Sequence, residues 1–196
     1  RYAVSLGVSA LGGGLLRPFL LLYAVTISHL SPARAGLALS LGFVFGMVLA
    51  PLTGRWIDRG ARRSVVVTTL LLRAGGLLLL VAVPGPAAFV CACLMEGVGN
   101  QSGPIAQGAV ISTLAKGFER AAVQKAMRSL GNAGLGAGAL LATIAVGSGA
   151  LGMRWLAAGT ATAYLISAVL VSTVVIKDPD APARKEPIQP AALAVP

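Results

Sequence analysis

Long apolar runs separated by short polar breaks dominate the 196-residue chain. The runs lie at about 2–28, 35–55, 64–83, 87–112, 121–146 and 153–176. As helices, each reaches the roughly 30 Å needed to cross the hydrocarbon core of a bilayer. The breaks carry turn formers and charge: 29–34, the strongly basic 54–63, and Pro84-Gly85-Pro86. This pattern predicts an all-α membrane protein, with a six-helix transmembrane bundle over 1–176. Trp56 closes the second run as an interfacial anchor. Gly36, Gly42 and Gly46 keep one side of that run small, which favours close helix packing. Prolines at 179, 182, 187, 190 and 196 mark 177–196 as a disordered linker or tail.

Loop charge sets the expected orientation. Arg59, Arg62, Arg63, Lys116, Arg120, Lys125, Lys177, Arg184 and Lys185 fall on one side, against Arg34 and Arg154 on the other. Cationic loops stay inside, so both termini and the tail are expected in the cytoplasm of a multi-pass cell-membrane protein. There is also an internal echo. Gly13, Pro18, Arg34 and Ala35 share their spacing with Gly99, Pro104, Arg120 and Ala121, at an offset of 86 residues. It divides the bundle into repeat one, about 1–83, and repeat two, about 87–176. The first copy begins inside and the second outside, so the repeats are expected to be inverted in topology.

Composition agrees with lipid as the main solvent. The chain is 56% apolar and only 11% charged, against about 25% charged in a soluble domain. Its net charge of +10 does not point to nucleic acid, because the cations sit between apolar runs without interleaved aromatics. Anionic lipid facing the basic loops accounts for it. Cys91 and Cys93 lie within an apolar run, far from the lone His29, and read as small apolar residues. No metal or cofactor is expected. The chain starts at Arg1 with no cleavable signal pattern and reads as an excerpt whose first span would direct insertion.

The charged break at 54–63 carries a motif. Gly54, Asp58, Arg59, Arg62 and Arg63 match the pattern Gly-x-x-x-Asp-Arg-x-Gly-Arg-Arg, which resembles the loop between the second and third helices of major facilitator superfamily transporters. One position departs: Ala61 replaces the second glycine, and Gly60 stands one place early. The resemblance covers the chain to about residue 176. It implies half of the family fold, two inverted three-helix repeats, with a second six-helix half as partner. It also implies a gate in which Asp58 and the arginines latch the cytoplasmic side against a helix of that half. Two further family features are absent. Cys93 stands where proton-coupled members often carry an arginine in the fourth span, and Ala139 follows the glycines of the fifth span where drug–proton antiporters have proline.

Charge inside a span is expensive, about 2.5–3.5 kcal/mol on insertion scales. Arg17, Arg73 and Glu96 are read as bearing it, at similar depths of roughly 13–17 Å from the outer ends of their spans. In the family the first and fourth helices line the central cavity, so the resemblance implies that Arg17 and Glu96 face it and pair. Pairing of Arg73 with Glu96 is the structural alternative, and Arg73 snorkelling or bonding backbone carbonyls is a third. Asn100, Gly103 and Gln107 fall on one face of the fourth span, with Glu96 one turn earlier and Gln101 and Ser102 alongside. Such a stripe lines a substrate path or glues helices together. Tyr23, Asn132 and Tyr164 are further candidates for the path.

The leading expectation is a secondary transporter, not an enzyme. It would move a small molecule outward by alternating access, with protons as a candidate coupling ion and Glu96 as the coupling group. A non-transporting six-helix assembly or sensor is the alternative. An intramembrane enzyme is disfavoured: Ser102 superficially fits a nucleophile, but His29 lies in a loop.

Overall fold

The computed structural model describes residues 2–114 and 118–174, with no side chains described at 113–114 and 118–120. The 177–196 tail, Lys116 and the side chain of Arg120 therefore lie outside the described residues. Every regular element among them is helical. The first apolar run forms α1 (Tyr2–Leu16), a 3₁₀ turn (Arg17–Phe19) and α2 (Leu20–Thr26). The others form α3 (Pro32–Asp58), α4 (Arg62–Ala82), α5 (Pro86–Leu114), α6 (Phe118–Val146) and α7 (Gly149–Ser172). α1 with α2, α3, α4, α6 from Ala121, and α7 are long and apolar enough to cross a membrane. α5 is long enough too, but Glu96, Asn100 and Gln101 dilute its apolar run.

Local chemistry explains the breaks. Pro18 offers no N–H to the Gly14 carbonyl, and the first rod tightens into a 3₁₀ turn there. α3 starts earlier than the sequence suggests, because Ser31 caps it: its hydroxyl accepts the Arg34 N–H at 3.4 Å, with Pro32 in the first turn. α7 ends at Ser172, short of the expected 176.

Packing is mostly between helices distant in sequence. α1 lies along α6 and α7, α3 along α5, and α4 along α5 and α7, whereas α5 and α6 barely touch. Small residues allow the closest approaches. A Cβ on Gly42 would run into the Cys93 carbonyl, and one on Gly97 into the Gly42 carbonyl. Gly14 meets the Leu135 carbonyl, and Gly138 that of Leu11, in the same way. A Cβ on Gly36 would meet nothing, so it plays no part in these close approaches, contrary to the reading that grouped it with Gly42 and Gly46. Hydroxyls tie backbones across the bundle: Ser5 and Ser167 each bond the other's carbonyl at 3.0 Å, and Thr160 bonds that of Gly12 at 3.0 Å. The outer surface is apolar, with Leu37, Phe43, Val48, Leu140 and Ile144 all exposed, as a lipid solvent permits. Cys93 is buried as expected, but Cys91 is exposed.

Candidate functional site

Because α5 and α6 stand apart, a cleft of about 580 Å³ opens between α5 and the α1–α6 pair, within the ~300–1,000 Å³ usual for small-molecule sites. Three helical stripes line it in one register, i, i+4, i+7 and i+11. They are Leu6, Ala10 and Gly13 on α1, continued by Arg17 in the 3₁₀ turn; Asn100, Pro104, Gln107 and Ile111 on α5; and Gln124, Arg128, Gly131 and Leu135 on α6. Ser9, Asn132 and Arg73 add to the polar lining. The cleft reaches from mid-helix depth toward the start of α1, the end of α5 and the start of α6. That is the end of the bundle at which the α3–α4 turn lies, since Arg63 and the Ser5–Ser167 bonds both meet the last turns of α7.

A charged cluster stands at the inner end. Arg73 Nε donates to Glu96 Oε2 at 3.1 Å, with the side chains 11% and 13% exposed. The guanidinium also donates to the Tyr164 hydroxyl, and its carbon lies 4.0 Å from the centre of the Tyr164 ring. Gly99 makes room for it: a Cβ there would strike the aliphatic stem of Arg73. Arg17 lies beside the same Tyr164 hydroxyl, both next to Gly13, and lines the cleft. Glu96 Oε1 is buried and has no partner among the described residues.

These contacts redistribute the expected site residues. Arg17, Asn100, Gln107 and Asn132 do line the cleft. Glu96 does not; it turns to Arg73, so the expected Arg17–Glu96 pair is corrected to Arg73–Glu96, with Tyr164 between the two arginines. Tyr23 is fully buried, and its hydroxyl donates to the Leu80 carbonyl at 3.3 Å, so it belongs to the packing and not to the path. Gln101 is partly buried and off the cleft wall. Among the polar lining residues, Ser9, Gln124 and Arg128 were missed. The signal for the last two was the i, i+4, i+7 stripe with Gly131, obscured because cations at the start of a span read as loop charge.

The 54–63 motif forms a tight corner. At the end of α3 the Ala61 N–H bonds the Trp56 carbonyl at 3.4 Å, and the Gly60 N–H bonds that of Ile57 at 2.9 Å. This is a Schellman cap, with Gly60 at φ 87° in the left-handed position it requires. The glycine one place early is therefore the one the turn needs, and Ala61 begins the next helix. Asp58 and Arg59 are exposed. Arg63 donates to the Ser172 carbonyl, a cation on the open C-terminal end of α7.

No curated protein matches the chain. The sequence model of the Major Facilitator Superfamily matches residues 2–195. With that match over nearly the whole length, on a bundle of apolar helices around a polar cleft, the chain belongs to the major facilitator superfamily, whose members transport small molecules across membranes.

Proposed function

We propose that this chain is the amino-terminal six-helix half of a secondary transporter in the cell membrane, with both termini cytoplasmic. The observation that carries this reading is the cleft, which reaches mid-depth, opens toward one end of the bundle and carries arginine, asparagine and glutamine side chains on an apolar wall. With the basic α3–α4 corner placed inside, the opening faces the cytoplasm, where an exporter loads its solute. The packing supports two inverted three-helix repeats. Exchanging the first three spans for the last three turns the α1–α6 contact into α5–α3, and the α1–α7 contact into α5–α4. It also sets Pro18 in the first rod against Pro104 in α5. A second six-helix half would close the cleft, and rocking of the two halves would expose it to each side in turn. Asp58 and the motif arginines gate that movement, and any proton coupling by Glu96 would act through its pair with Arg73, which lines the cleft.

Reconstitution tests the reading. Liposomes carrying the full-length protein and loaded with a mixture of small metabolites should lose at least one solute faster than protein-free liposomes. An importer releases through the same opening, so the imposed gradient reads the direction. Vesicles that retain every solute as protein-free ones do would reject the transporter reading.

A further inference from the structure

Among the described residues, the charges lining the cleft are all positive: Arg17, Arg73 and Arg128 face it, and no Asp or Glu does. Glu96 lies behind the wall, ion-paired with Arg73, and one carboxylate against three arginines leaves an excess of positive charge among the described residues. Neither has the usual reason for an arginine in a span. Arg17 does not snorkel; it sits at the Pro18 break and is turned to Tyr164. Arg128 stands about 15 Å along α6 from Phe118, deeper than a headgroup contact needs. Both are exposed to the cleft.

The two cations occupy different levels. α1 and α6 run parallel, since Gly7 lies against Leu130 and Gly14 against Leu135. Arg17 is thus at the closed inner end and Arg128 toward the mouth, about 20 Å apart along the axes. A guanidinium has five donors. Arg17 lies beside the Tyr164 hydroxyl, both next to Gly13, and presents donors where Asn100 also lines the wall. Leu6, Ile111, Met127 and Leu135 supply apolar surface between the two levels.

We propose that the cleft binds an organic anion: a carboxylate-bearing small molecule whose head is held by Arg17 at the inner end and whose body lies on the apolar wall, with Arg128 attracting it at the mouth. Apolar walls of low dielectric focus such a field on the opening. The inference rests on reading the cleft as the solute path, and it adds the class of solute.

The test compares probes of one size and three charges, benzoate, benzamide and benzylamine, binding to the full-length protein in nanodiscs of zwitterionic lipid. Benzoate should bind about tenfold more tightly than either, the scale of one charge-assisted hydrogen bond. Arg17→Gln should abolish that preference and Arg17→Lys restore part of it. Arg128→Gln should slow benzoate association and flatten its salt dependence while leaving dissociation unchanged. A second readout needs no ligand. In a variant lacking Cys91 and Cys93, Asn132→Cys should react faster with an anionic than with a cationic methanethiosulfonate, and Arg17→Gln should shrink that ratio severalfold. Equal or tighter binding of the amide or the amine would overturn the anion assignment and leave the solute path standing. Binding of none of the three, or benzoate affinity unchanged in Arg17→Gln, would overturn it as well. Solute exchange in liposomes reports on the transporter reading independently.

Discussion

Replacing Glu96 by Leu should be far more damaging alone than together with Arg73→Met. In the native bundle the Arg73–Glu96 bond of 3.1 Å joins side chains only 11% and 13% exposed. At an effective dielectric constant near 20, two unit charges 4 Å apart attract by about 4 kcal/mol, and the desolvation of both groups offsets much of it. Glu96→Leu removes the attraction but not the burial of Arg73, which keeps only the Tyr164 hydroxyl and ring among its described side-chain partners. Breaking a buried pair in this way costs about 3–5 kcal/mol. For a chain of this size about 1 kcal/mol moves the melting temperature by roughly 2–4 °C, so a fall of about 6–20 °C is expected. Arg73→Met added to Glu96→Leu removes the stranded charge, and well-packed apolar replacements of a buried pair are near neutral. The double variant should therefore recover most of the loss. Scanning fluorimetry of the four proteins in one detergent completes the cycle. If the double variant falls by the sum of the two single losses, the pair is not coupled and the reasoning fails.

Gly60→Ala places a Cβ on a residue at φ 87° and should cost about 1–2 kcal/mol, read as a lower melting temperature, whereas Ala61→Gly should change it by far less. Gly97→Ala should separate α3 from α5, because its Cβ would meet the Gly42 carbonyl; overpacking of this kind costs about 1–3 kcal/mol, and an unchanged melting temperature would argue against that contact. Asp58→Asn in the full-length protein should favour the inward-open state, a change of about tenfold in the conformer ratio for 1.4 kcal/mol of bias, and lower transport at unchanged surface expression; spin-label distances across the cytoplasmic gate measure it.

The sequence by itself determined the elements and their chemistry. Lipid leaves helices as the economical way to satisfy the backbone of a long apolar run, so the runs and their breaks could be read almost residue by residue. The expected 64–83 run became Arg62–Ala82, and 121–146 became Phe118–Val146. The cap at Gly60 and the break at Pro18 are likewise local events, set by one residue's φ or one missing N–H. The Asn100, Gly103 and Gln107 face was legible because helical period alone puts those residues on one stripe. What only the tertiary structure decided is which stripes meet. Depth along a helix follows from counting residues, but rotation about its axis and choice of neighbour do not. Arg17 and Arg73 stand at similar depth, so counting could not say which of them Glu96 would take. The choice fell to Arg73 because α4 packs on α5 where Gly99 has no side chain, leaving room for the arginine stem. Tyr164 on α7 then covers the guanidinium from the other side. Tyr23 was withdrawn from the path for the same kind of reason, since the Leu80 carbonyl that holds it lies 57 residues away in the chain. Arg128 joined the cleft wall only when α6 settled beside α1 and turned its Gln124–Gly131 stripe toward α5, a rotation fixed by glycine contacts between two backbones that no single helix encodes.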